Sequence, residues 1–354
     1  GEEMVAGLTE IFNEIRQGTS SGTAVTALTS RATSGAAITQ AVFYPEKEFE
    51  DNRTVTWTGN IFSEWYLNAY IDGNIVQNIR EDTNNNFILD VENDMIIEYL
   101  TENNTLRIDA YESGSDGMKE DEDVDQEYYG IENVNNLFDA GEKLKDRSPG
   151  DRRIYGAGDD GTSDGFLEEF TVTNSGLFAD FLGDAATEYP DCLVDSGTPQ
   201  YDELISYVRG EDVSGCRSRA VDATGSVWKL GDIISSSPTS VNYGNYRMIY
   251  TGSNDGMLHA FRMGKLKNRD DQMQPTEICE DDSVTCSTDD LGKEEWAFIP
   301  KDAMPYLRYM ASPEYDHIYA VDLKPYIVSL EDRTILIGGM RFGGAPGIAG
   351  ADVN

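Results

Sequence analysis

The stretch "MIYTGSNDGMLHAFRMG", residues 248–264, decides the fold. Two runs of β-branched, aromatic and other apolar residues flank the polar "SNDG". Asn and Asp tolerate positive φ and bond their own backbone, and Gly adopts it freely, so this reads as a β-hairpin. Ala260 lets a neighbouring sheet approach, while Leu258 and Phe261 fill the space between sheets. The sequence places no Ser or Cys nucleophile and no paired acid beside His259. We therefore expect His259 to be a packed, hydrogen-bonded residue and not a catalyst.

Two further segments share the plan, "VTWTGNIFSEWYLNAYIDGN" from Val55 and "TILIGGMRFGGAPGIAGADVN" from Thr334. Each reads as a strand, a Gly-containing turn and a strand with a small residue among apolar ones. A repeated hairpin that cannot bury its own faces is the signature of a β-propeller, here with uneven spacing and long insertions. Strands are also expected at "AVFYP", "TLRIDAY", "EEWAFIP", "HIYAVDL" and "KPYIVSL", with helical signals mainly at "GLFADFLGDAA" and "YDELISYVRG". Residues 2–16 place Val5, Leu8, Ile11, Phe12 and Ile15 on one helical face, and a Gly/Ser/Thr-rich linker follows. The expected organisation is residues 1–40 as helix and linker, 41–180 as a first blade region with acidic insertions, and 181–354 as further blades. The fold class is mainly β.

The 354 residues carry 65 acidic and 27 basic side chains, a formal net charge of −38. Such a surface repels phosphate backbones and anionic lipid heads, so no nucleic acid is expected as a partner and cations are. The 19 Tyr, 13 Phe and 4 Trp separate the chain from a disordered acidic tail. No apolar run approaches the roughly 20 residues that span a bilayer, so no membrane span is expected. The chain begins at Gly1 without Met or an apolar leader, which reads as a processed or excised product. Four cysteines and no CxxC suit an exported protein with disulfides Cys192–Cys216 and Cys279–Cys286.

Calcium seeks six to eight oxygens from a flexible loop, with ligands at alternating positions and a late carboxylate. In "DTNNNFILDVEND", Asp82, Asn84, Asn86 and Asp90 fill positions 1, 3, 5 and 9, with Asn93 or Asp94 near position 12. In "DEDVDQEYYGIE", Asp121, Asp123 and Asp125 precede Glu127 at 7 and Glu132 at 12. An overlapping frame places Asn133, Asn135, Asp139 and Glu142 at 3, 5, 9 and 12. The Gly usual at position 6 is Phe87, Gln126 and Asn136 respectively, which departs from an EF-hand loop. Yet residues 109–142 hold twelve acids and one lysine, interleaved with Tyr111, Tyr128, Tyr129 and Phe138. At least one bound Ca2+ is expected. A weaker frame, "DDGTSDGFLEE", offers Asp160, Thr162, Asp164 and Gly165.

Several motifs together resemble the PilY-type proteins, type IV pilus tip-associated adhesin and biogenesis factors. They are "WTGN" at Trp57, "LFDAGEKLKDRSPGDRRIY" (137–155), "LISYVRGED" (204–212), "WKLGDIISSSPTSV" (228–241), "YTGSNDGMLHAF" (250–261), "EEWAFIPKDAMPYL" (294–307) and "YDHIYAVDLKPYI" (315–327). The resemblance implies a modified quinoprotein-like β-propeller, partial here, with "GGAPGIAGADVN" similar to the opening of a further blade. It also implies a non-enzymatic, extracellular component at the pilus tip, acting in pilus biogenesis and surface adhesion. Its implied partners are pilin or minor pilins and a host or abiotic surface ligand. No catalytic or cofactor-binding residue is assigned, and "RGED" at 209–212 is not an RGD tripeptide. The alternatives are a quinoprotein-like dehydrogenase fragment, which needs a quinone pocket with a calcium and a catalytic Asp, and a structural subunit of an extracellular filament.

Overall fold

The structure is a computed structural model that describes residues 35–102, 105–159, 166–183 and 185–344. The expected N-terminal helix, most of the linker, the acidic frame at 160–165 and the last ten residues lie outside these ranges. Within them the protein is mainly β with few helices, in several open sheets, none closed into a barrel.

The first sheet contains β1 (Ala36–Glu48), β2 (Thr54–Ile71), β3 (Asn74–Arg80), β5 (Ile96–Glu102), β6 (Thr105–Tyr111), β7 (Gln126–Tyr129) and β8 (Phe138–Asp139). Its order is β1-β2-β3-β5-β6-β7, with β8 paired to β2. β2 is buried from Thr58 to Leu67, and the period-2 alternation of a strand explains how. Ile61, Trp65 and Leu67 face one core, against Leu230, Ile249 and Phe261. Phe62 and Tyr66 face another, with Ile38, Ile79, Ile97 and Ile108. β2 is thus covered on both faces.

The second sheet contains β4 (Ile88–Leu89), β9 (Ile154–Gly158), β10 (Phe166–Glu169), β13 (Thr239–Asn242), β14 (Arg247–Gly252), β15 (Leu258–Asn268), β16 (Thr276–Cys279) and β17 (Glu294–Ile299). Strands β13-β14-β15-β17 lie side by side and antiparallel, with β16 intervening in sequence and pairing with the far end of β15, and β9 joins β17 in parallel. β4 belongs to this sheet through β16, although it lies between β3 and β5 in sequence. Two small hairpins complete the strands, β11 (Val194–Asp195) with β12 (Thr198–Pro199) and β18 (Tyr326–Ser329) with β19 (Thr334–Ile337). The helices are α1 (Ala140–Asp146), α2 (Ala179–Leu182), α3 (Tyr201–Arg209) and α4 (Leu307–Met310). Disulfides join Cys192 to Cys216 and Cys279 to Cys286, the expected pairing.

The 248–264 stretch is a hairpin as expected: β14, a turn with Gly256 at φ 93°, then β15. The Val55 unit is not. "WTGN" lies inside the single strand β2, and Gly59 marks a crossing instead of a turn. A Cβ there would lie 2.1 Å from the Gly231 carbonyl oxygen. "HIYAVDL" is also not a strand. Two of its N–H groups go to the hairpin turn, Ala320 to Asn254 Oδ1 and Val321 to the Ser253 carbonyl, while Ile318 N–H donates to the Tyr315 hydroxyl and Leu323 N–H to the Gly339 carbonyl. Helix α1 was not foreseen, although "DAGE" carries a capping-box spacing, with Asp139 accepting from Glu142 N–H at 2.7 Å.

Candidate functional site

The turn of the β14–β15 hairpin is where the quoted motifs meet. The segment "WKLGD" crosses β2 at Gly59: Gly59 N–H donates to the Leu230 carbonyl and Trp228 Nε1 to the Gly59 carbonyl. Asn254 Nδ2 donates to Asp232 Oδ2 at 2.6 Å, and Asp232 also contacts His317 Nε2 at 3.0 Å. His317 lies against Trp57, with ring centroids 4.0 Å apart, and Trp57 adopts φ 57° within β2. Asn254 and Asp255 therefore act through their side chains, Asp255 accepting from Gly231 N–H and Met257 N–H.

His259 is fully buried and both its nitrogens face carboxylates. Nδ1 is 2.8 Å from Glu294 Oε1, and Nε2 is 3.0 Å from Asp255 Oδ2. Glu294 in turn takes two bonds of 2.9 Å from Arg152. Burial alone would lower the His259 pKa, but Asp255 and Glu294 overcome it and raise it to about 9. Burial would raise Glu294 and Asp255, yet Arg152 and His259 hold Glu294 well below the usual range and His259 holds Asp255 down. The result is a buried row of alternating charge, Arg152, Glu294, His259, Asp255. A charged imidazole bound at both nitrogens has no free lone pair for base chemistry. His259 is the packed residue expected. Glu294, 35 residues away, was invisible in sequence, whereas Asp255 lies four residues from His259 within the same motif.

The acidic frame at 82–94 is the junction of the two sheets. Asp82 accepts from Asn86 N–H and Phe87 N–H, and Asp94 from Thr83 N–H and Asp90 N–H. Phe87, at the position where Gly is usual, adopts the left-handed φ of 59°. Asp90 and Val91 reach the second sheet through Gln274 Nε2 and the Met273 carbonyl. Burial, with Asp82 and Asp90 nearby, raises Asp94 to about 8 against the opposing effect of Asp90 N–H and Arg80. Asp82 is raised by burial as well.

The other two frames are spread over different elements. Asp121, Asp123 and Asp125 are exposed, and Asp125 accepts from Glu112 N–H. Glu127 lies on β7, Glu132 accepts from the Tyr44 hydroxyl, and Asn133 donates to the Tyr129 carbonyl. Asn135 N–H donates to Glu81, while Asp139 caps α1 by accepting from Glu142 N–H, and the Glu142 carboxylate pairs with Lys145. Among the described residues no group of three His, Cys, Asp or Glu side chains is arranged to hold a metal ion. In the 82–94 loop the oxygens of Asp82, Asn86, Asp90 and Asp94 all accept backbone N–H bonds.

The fold and site define a mainly β, disulfide-bonded chain whose motif residues are spent on holding its sheets together. It is related over part of its length to the PilY family. The chain is 27% identical to the type IV pilus biogenesis factor PilY1 of Pseudomonas aeruginosa, over 58% of this chain and 17% of that protein. It is 28% identical to a PilY1 homolog of Xylella fastidiosa over 40% of this chain and 10% of that protein. A further PilY1 homolog of that organism is 28% identical over 40% of this chain and 12% of its own length. The chain thus spans between 10% and 17% of the length of these relatives. No family model and no solved structure matches it. Among the described residues no helix is long and apolar enough to cross a membrane.

Proposed function

We propose that this chain is an exported, non-enzymatic module of a type IV pilus system, serving in pilus biogenesis and in surface adhesion at the pilus tip. The observation that carries this reading is its relationship to the PilY1 biogenesis factors. The two disulfides suit export, and the locking of His259 between two carboxylates suits a scaffold. The antiparallel group β13-β14-β15-β17 is read as one blade of a modified propeller. The 82–94 loop is read as taking calcium, which would neutralise carboxylates that burial otherwise keeps from ionising. Partners are then pilin or minor pilins and a surface ligand. Disrupting the encoding gene in its own host and counting surface pili tests the reading. Loss of surface pili, restored by the intact gene, is expected, whereas unchanged piliation and attachment would overturn it.

A further inference from the structure

Arg217 and Arg219 resemble Arg80 and Arg209 in bonding to carbonyl oxygens, but these two also share one cavity. Arg107, Arg152, Arg262 and Arg269 each pair with a carboxylate. Among the described residues, no carboxylate pairs with Arg217 or Arg219. The Arg217 guanidinium lies 4.1 Å over the Tyr315 ring and donates to the Thr56 carbonyl and, at 3.2 Å, to Thr56 Oγ1. The Arg219 guanidinium lies 4.1 Å over the Tyr207 ring and donates to the Tyr207 carbonyl. Arg219 Nε is buried with no acceptor. Both arginines line one cavity of about 40 Å³, walled by Trp57, Tyr207, Trp228 and Tyr315.

An Nε–H buried without an acceptor costs free energy that a bound anion would recover. The tyrosine faces fix the guanidinium planes without neutralising them; Nη2 of each already donates to a carbonyl, which leaves the Nη1 groups and the buried Arg219 Nε–H to donate to an anion. The volume admits a carboxylate-sized group and excludes a cofactor or a sugar. Asp232 and Asp255 also line the cavity, but they are turned to His317 and His259, and the Lys229 ammonium is spent on the Lys145 and Val227 carbonyls. The bridge from Cys216 to Cys192 anchors the arginine segment. We propose that this cavity binds a single carboxylate between Arg217 and Arg219, supplied by a free small acid or by the C-terminus of a peptide. This goes beyond the pilus reading and does not depend on it.

The test is titration of 15N-arginine-labelled protein, following the Nε–H signals assigned with Arg217→Lys and Arg219→Lys. The probes are acetate and N-acetyl-diglycine, with acetamide and N-acetyl-diglycinamide as controls at equal ionic strength. Saturable shifts of both signals with either acid and none with the amides are expected. Saturation with acetate assigns a free acid, and saturation with the peptide acid alone assigns a peptide terminus. Arg217→Lys should weaken the response of Arg219 by about tenfold, the cost of losing a charge-assisted bond. Non-saturating drift, an equal response to the amides, or unchanged affinity in Arg217→Lys would overturn the site. Should Arg219→Lys fail to fold, the wild-type comparison of acids with amides still decides.

Discussion

Replacing His259 by Gln removes the central charge of the buried row while leaving a side chain that can still hydrogen bond. The folded-state pKa of about 9 against an ordinary 6.5 means that protonation of His259 favours the native state. The contribution is complete below pH 6.5 and disappears as pH rises through 9. The separation of the two values corresponds to about 3 kcal/mol at 1.36 kcal/mol per pH unit. At pH 6 the variant also leaves Glu294 and Asp255 without the charge between them, Glu294 keeping Arg152 and, at 4.0 Å, Arg147, and breaking such a buried set costs about 3–5 kcal/mol. The assay is urea unfolding followed by tryptophan fluorescence from pH 6 to pH 10 for both proteins. Asp94 and Lys229, each placed at about 8, titrate in both and cancel in the difference. The gap between wild type and His259→Gln should be wide at pH 6 and shrink by about 3 kcal/mol at high pH. A gap that stays constant across the range would refute a charged His259.

Alkylation without reductant should label none of the four cysteines; removing the Cys192–Cys216 bridge, with its sequence separation of 24, should cost about 3.5 kcal/mol in the chain-entropy model. Four labelled thiols in the native protein would end that expectation. Gly59→Ala should destabilise by about 1–3 kcal/mol or more, because the new methyl meets the Gly231 backbone and not a side chain that can move, whereas Gly176→Ala, with nothing within 4 Å, should leave the melting temperature unchanged. In calcium-free buffer the raised pKa of Asp94, about 8, means stability present at low pH and lost as pH rises toward 8. Asp94→Asn should flatten that loss and shrink the rise in melting temperature that calcium gives the wild type. Superimposable melting curves with calcium and with chelator would sink the calcium reading.

The hairpin at 248–264, the strands around it, α3 and both disulfides were legible, because each is encoded by neighbours in the chain. Helix α1 is locally encoded too, through the Asp139 cap, but the same Asp and Glu spacing also fits a calcium frame. What could not be read is contact across the fold. "WTGN" has the composition of a turn, and nothing local says that Gly59 exists to let Leu230 and Gly231 pass over it. "HIYAVDL" has strand composition, but its amides are taken one by one by the Tyr315 hydroxyl, the Asn254 side chain and the Ser253 and Gly339 carbonyls, so no ladder forms.

The acidic loop at 82–94 shows why pattern and role can diverge. Alternating Asp and Asn suits calcium, but it equally suits a chain that must turn and satisfy its own backbone, and Asp82, Asn86, Asp90 and Asp94 all accept backbone N–H bonds. The loop leaves β3, contributes β4 to the second sheet through β16, and returns to the first sheet as β5. A segment shared by two sheets has to be rigid, and buried carboxylates closing tight turns make it so. The same burial holds Asp94 protonated near neutral pH, which is the condition a divalent cation would relieve. Sheet junction and cation loop are therefore compatible demands on the same oxygens. On the calcium reading proposed above, the ion would tighten the contact between the two sheets.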